Sequence, residues 1–169
     1  MAELTQKERL QPALLDRLTD DDPEHRQESR DKRVLSMRRL RESVLRDLAW
    51  LLNASRLDSL QDLGDYPHAA HSVLNYGIPD LTGMTASGVD VTAIERAVRQ
   101  AIWDFEPRIL RQSVRVRARV DPERMSHNAL TFDIEGQLWA QPVPLQIFLK
   151  TELDLELGEV IVTEQTGPG

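Results

Sequence analysis

The stretch "AIWDFEPRILRQSVRVRARV", residues 101–120, contains the point at which the chain changes its period. Upstream and into it, Ile94, Val98, Ala101, Ile102 and Phe105 recur every three or four residues. That spacing gathers apolar side chains on one stripe of an α-helix. Pro107 cannot continue such a helix and disfavours helical geometry in the residue before it, so the helix is expected to end near Glu106. Downstream, Val114, Val116, Ala118 and Val120 alternate with Ser113, Arg115, Arg117 and Arg119, the pattern of a strand buried on one face. Glu106, Pro107 and Arg108 therefore stand at a helix-to-strand corner. An acid beside a base in that place has three readings: half of an active site, an internal salt bridge that ends the helix, or a bidentate handle held out to another protein.

Beyond the corner the strand period persists. "ALTFDIEGQLW" sets Leu130, Phe132 and Ile134 against Thr131, Asp133 and Glu135, and "PLQIFLKTELDLELGEVIVTE" repeats the alternation through Leu145, Ile147, Leu149, Leu153 and Leu155. Gly158 then suits a tight turn that returns Val160 and Val162 as a hairpin partner. Before the corner the signals are helical. Met37, Leu40, Val44, Leu48, Leu51 and Leu52 form one apolar stripe with Ser36 as a candidate N-cap, and "YPHAAHSVL" reads as a second, shorter helix. The helix that runs into Phe105 has two candidate starts, Asp90 as N-cap or a Thr92–Glu95 capping box. Helices followed by an antiparallel sheet make an α+β domain, expected over residues 34–165, with the helices covering the apolar face of the sheet. Residues 1–33 read as a flexible segment carrying a short apolar peptide, "PALLDRL", in which Leu14, Leu15 and Leu18 share a face ahead of the polar "TDDDPEHRQESRDK".

Composition narrows the function. A chain of 169 residues holds one domain with a real core. Its net charge of -7 disfavours phosphate neutralisation as a mode of binding. The arginine stripe of residues 115–119 faces later strands bearing Asp133, Glu135, Glu152, Asp154 and Glu156, so it reads as a cross-paired solvated face and not a nucleic-acid patch. With no cysteine, disulfides and thiolate chemistry are excluded and a reducing compartment fits. Charges run through "MAELTQKERLQPALLDRL", which lacks a signal-peptide core, and the uncharged stretch 136–149 falls short of the roughly 20 residues a membrane-spanning helix needs. Cytoplasmic localisation without membrane insertion is the expectation.

Catalytic signals are sparse. His68 and His71 share a helical face, but no third and fourth ligand accompanies them for zinc. G-x-S-x-G, P-loop, G-x-G-x-x-G and H-E-x-x-H patterns do not occur, and no cofactor is implied. A glycosidase needs only two carboxylates about 5 to 9.5 Å apart, one with a raised pKa. Glu106 is a poor general acid, because the adjacent arginine favours its ionised form. A fixed, charged Glu–Arg pair suits recognition through bidentate hydrogen bonds, and it suits an internal staple equally well.

Together, "PALLDRL", "RLRESVLRDLAWLLNAS", "YPHAAHSVLNYGIPDLTG", "FEPRI" and "FLKTELDLELGEV" resemble the TssE family, the baseplate wedge subunits of bacterial type VI secretion systems, related to the small wedge protein of contractile phage tails. The resemblance implies a non-enzymatic subunit that joins TssF and TssG and sits where the contractile sheath starts, in a cytoplasmic baseplate docked at the inner-membrane complex. It implies that Glu106, Pro107 and Arg108, matching the family's Glu-Pro-Arg motif, help hold the wedge's helical bundle, which favours recognition over the staple. It further implies that the hairpin edge within residues 145–162 pairs with a sheath strand, and that Leu14, Leu15 and Leu18 dock on neighbouring wedge proteins. The family's lysozyme-like label supplies the alternative, a peptidoglycan-cleaving hydrolase.

Overall fold

Helices precede strands, as the change of period requires. The computed structural model describes residues 14–19, 37–83, 90–119, 129–139 and 144–165. Within them lie four α-helices, α1 (Leu14–Leu18), α2 (Met37–Leu52), α3 (Pro67–Ala70) and α4 (Val91–Phe105). Four strands follow, β1 (Arg115–Arg119), β2 (Ala129–Leu138), β3 (Leu145–Asp154) and β4 (Val160–Glu164). They form one antiparallel sheet in the order β1-β2-β3-β4. The α+β arrangement expected from the sequence is the one observed. The candidate cap Ser36 and most of residues 1–33 lie outside the described residues.

Alternation along the strands decides the core. Leu130, Phe132 and Ile134 of β2 lie opposite Leu153, Thr151 and Leu149 of β3, and all six are buried. Thr151 keeps its hydroxyl satisfied there by donating to the Phe132 carbonyl at 3.2 Å. The apolar stripe of α2 (Leu40, Val44, Leu48, Leu51, Leu52) and that of α4 (Ile94, Val98, Ala101, Ile102) close over this face, with α2 against β4 and α4 against β1. Leu48 and Ile102 are fully buried, and truncating such a residue to alanine costs about 2–5 kcal/mol. On the opposite face the register sets Arg115 across from Glu135 and Arg117 across from Asp133, while Arg119 reaches diagonally to the Asp133 carboxylate. The arginine stripe is thus the cross-paired face its composition suggested.

Three local features have physical causes, and the first departs from the sequence reading. "YPHAAHSVL" is not one helix: α3 stops at Ala70, and Val73–Asn75 forms a separate 3-10 turn capped by the Ser72 hydroxyl, which accepts from Leu74 N at 3.2 Å. Buried Asn75 causes the break, because its amide donates to the Ala70 carbonyl at 2.9 Å and occupies the acceptor a continuing helix would use. The start of α4 is capped by Asp90, which accepts from Ala93 N at 3.0 Å. Glu95 turns away from that helix end and instead accepts from Ala118 N at 2.7 Å, so it covers the outer edge of β1. The β3–β4 turn uses Gly158 at φ 70°, where a side chain would be strained.

Candidate functional site

The corner is built by local chemistry. Glu106 caps α4 with its N–H still bonded to Ile102 O at 2.9 Å, and its non-helical ψ of 76° turns the chain out of the helix. Pro107, exposed, carries the turn. Ile109 is buried and bridges to Leu138 at the end of β2, and the backbone is sewn there by Trp139 N to Arg108 O (2.7 Å) and Leu110 N to Gln137 O (2.8 Å). Gly136 makes this close approach possible, since a Cβ there would stand 2.9 Å from Ile109 Cγ2.

Burial then fixes the electrostatics. The Glu106 side chain is 3% exposed and that of Arg108 22%. Glu106 Oε1 accepts from Arg108 Nε at 2.7 Å and from its backbone N at 3.1 Å, and Oε2 accepts from Nη2 at 2.5 Å. The other edge of the same guanidinium reaches α2: Nη2 donates to Asp47 Oδ2 at 2.6 Å and Nη1 to Ser43 Oγ at 3.1 Å. Ser43 and Asp47 are one helical turn apart, so a planar fork spans both. Burial by itself would lower the Arg108 pKa, but hydrogen bonding and attraction from Glu106, then from Asp47, outweigh it, and the guanidinium is held above its ordinary value.

The charges continue outward. Asp47 Oδ1 accepts from Arg46 Nε at 2.9 Å, and Arg46 Nη1 donates to Asp16 Oδ1 of α1 at 2.6 Å while its guanidinium lies 5.2 Å from the Trp50 ring centre. Asp16, Arg46, Asp47, Arg108 and Glu106 therefore form a ladder of alternating sign from the N-terminal peptide to the corner. In α1 itself, Leu15 and Leu18 are 44% and 73% exposed. The peptide is pinned by a charge and leaves those two leucines outward.

Of the residues singled out in the sequence, the structure brings Glu106 and Arg108 together and keeps Pro107 at the surface. The fork is not held out into solvent; it is satisfied inside the chain, so the folded monomer uses the pair as a staple. At the surface of this corner stand Pro107, which is exposed, and the 22% of the Arg108 side chain that reaches solvent. Ser43, Asp47, Arg46 and Asp16 were not recognisable as members of the site, although a serine and an aspartate one turn apart on the flank of an apolar stripe are a signal for a buried cation.

His71 Nδ1 lies 3.3 Å from Asp104 Oδ2, and among the described residues no group of three or more His, Cys, Asp or Glu could hold a metal ion. A crevice between Leu52, Ile78, Leu81 and Leu153 offers about 30 Å³, room for a couple of water molecules and not a substrate. Among the described residues no helix is long and apolar enough to cross a membrane.

A small α+β domain with a charge-locked helix-to-sheet corner and an apolar peptide pinned outside its core has the build of an assembly subunit. Residues 38–143, more than half of the 169-residue chain, match the family model described as baseplate wedge protein gp25. The chain belongs to that family of baseplate wedge proteins, structural components of the TssE type. The match runs from α2 through the corner to β2 and stops just short of β3. No curated protein and no solved structure matches the chain.

Proposed function

We propose that the protein is the wedge subunit of a type VI secretion baseplate, that it joins TssF- and TssG-type proteins, and that it helps to start the contractile sheath. The observation that carries this reading is the wedge-family match, which spans the locked corner and the helix it is locked to. In this reading the ladder from Asp16 to Glu106 sets the angle between α2 and the α4–β1 corner. The surface so fixed, with Pro107 and Arg108 over the buried Glu106 at one end and the peptide that exposes Leu15 and Leu18 at the other, is the partner-binding side.

The sheath contact falls to β4. The outer edge of β1 is covered by Glu95, whereas β4 is engaged at its first residue, where Asn53 accepts from Val160 N at 2.9 Å and donates to Val160 O at 2.8 Å. Alternate residues of an antiparallel edge direct their backbone groups outward, so Val162 and Glu164 offer the next positions to an added strand. The baseplate is cytoplasmic in this reading and docks at the inner-membrane complex.

Copurification with TssF and TssG tests the assignment. Wild type is expected to bind both, and Arg108→Lys, which retains a charge but not the bidentate fork, to bind more weakly. Wild-type binding to neither, or clearing of cell walls by the purified protein, would replace this reading with another.

A further inference from the structure

Residues 57–76, which include part of the "SVLNYGIPDLTG" motif, donate no hydrogen bond to the Glu106–Arg108 fork and are tied up by a network of their own. Asn75, 6% exposed, accepts from Asp58 N at 3.0 Å and donates to Ala70 O at 2.9 Å, binding the Leu57–Ser59 turn to the Val73–Asn75 turn. The base is clamped by Ile78 N to Ala54 O (2.9 Å) and Arg56 N to Ile78 O (3.0 Å). Gly77 at φ 125° allows that clamp, because a Cβ there would lie 2.1 Å from the Ala54 carbonyl oxygen. Tyr76 anchors the loop edge-on against Phe105, ring centres 5.1 Å apart.

On this frame Leu63 is buried, but four other apolar residues point away from the core. Leu60 is 85% exposed, Val73 80%, Leu74 68% and Tyr66 61%. Single exposed hydrophobes need no explanation, but Leu60 directly after the first turn, Val73 and Leu74 within the second and Tyr66 between them, on turns that are bonded together, mark a contact surface. The loop's charge identifies what covers them: residues 57–76 contain Asp58, Asp62 and Asp65 and neither lysine nor arginine. Asp58 is paired with Arg56 at the base, while Asp62 and Asp65 are exposed beside the apolar residues. An acidic rim repels phosphate-bearing membranes and nucleic acids and attracts a basic protein surface.

We propose that this loop is a second docking surface, distinct from the corner, for an apolar segment flanked by lysine or arginine on another baseplate subunit. The inference rests on the baseplate reading above. It makes the protein a two-sided connector, with α1 and the corner on one contact and the acidic apolar loop on another.

The test measures affinity of the full chain for the purified TssF–TssG pair. Val73→Ser/Leu74→Ser is expected to weaken binding about tenfold. Asp62→Asn/Asp65→Lys is expected to slow association at low salt and to approach wild type at high salt. This second variant removes no buried group, so it decides the matter even if the first lowers the melting temperature. Wild-type affinity in both variants overturns the loop inference. If Arg108→Lys weakens binding while both loop variants bind normally, the baseplate reading stands and the second surface falls. Failure of wild type itself to bind overturns both.

Discussion

Replacing Arg108 by alanine removes the cation on which two carboxylates converge. Glu106, 3% exposed, would keep only its 3.1 Å bond from the residue 108 backbone N–H, having lost partners at 2.7 and 2.5 Å. Ser43 would lose its donor, and Asp47 would retain Arg46. Removing one member of a buried ion pair costs about 3–5 kcal/mol, because the other charge stays desolvated. Arg108 is 22% exposed, so water entering the vacated space offsets part of the penalty and sets the value near the lower bound, about 3 kcal/mol. For a domain of this size that corresponds to a melting temperature lower by about 6–12 °C, read by circular dichroism. Glu106→Leu/Arg108→Met, which removes both charges, should recover most of the loss. A melting temperature for Arg108→Ala within about 2 °C of wild type would refute the claim that the guanidinium holds the corner.

Other perturbations test other joints. Gly77→Ala forces a Cβ against the Ala54 carbonyl at 2.1 Å and should destabilise by more than about 2 kcal/mol in urea unfolding. Asp16→Asn removes the charge that pairs with Arg46 at a partly exposed site; global stability should change by less than about 1 kcal/mol, while trypsin should cut at Arg17 faster than in wild type. Burial first, then the charges of Asp47 and Glu106, raises the Tyr76 phenol above its ordinary pKa. The fold therefore favours the neutral phenol, and stability is full below the unfolded value of about 10 and falls as pH rises towards the folded value. Urea unfolding from about pH 9 to 11 should show a smaller alkaline loss in Tyr76→Phe than in wild type; equal slopes would contradict the assignment.

What the sequence revealed follows from range. The stripes of α2 and α4 and the alternation of β2, β3 and β4 were legible because burial on one face imposes a local period. Pro107 located the corner for the same reason, since its effect reaches only one residue back. The direction in which Arg108 points was not legible, because Ser43 and Asp47 are more than 60 residues away and adjacency in sequence shows a charge pair without its third partner. "YPHAAHSVL" misled because its propensity is helical, while a tertiary bond network centred on Asn75 requires two turns. The choice of Asp90 over Thr92–Glu95 likewise depended on a strand edge that recruits Glu95 from elsewhere in the fold.

The central claim is that this chain is a wedge subunit needed to start a sheath. Fluorescently tagged sheath, imaged in cells whose copy of this gene is deleted, tests it most directly. The account predicts that sheath structures disappear and return with the wild-type chain, whereas normal assembly and contraction without the protein would contradict it.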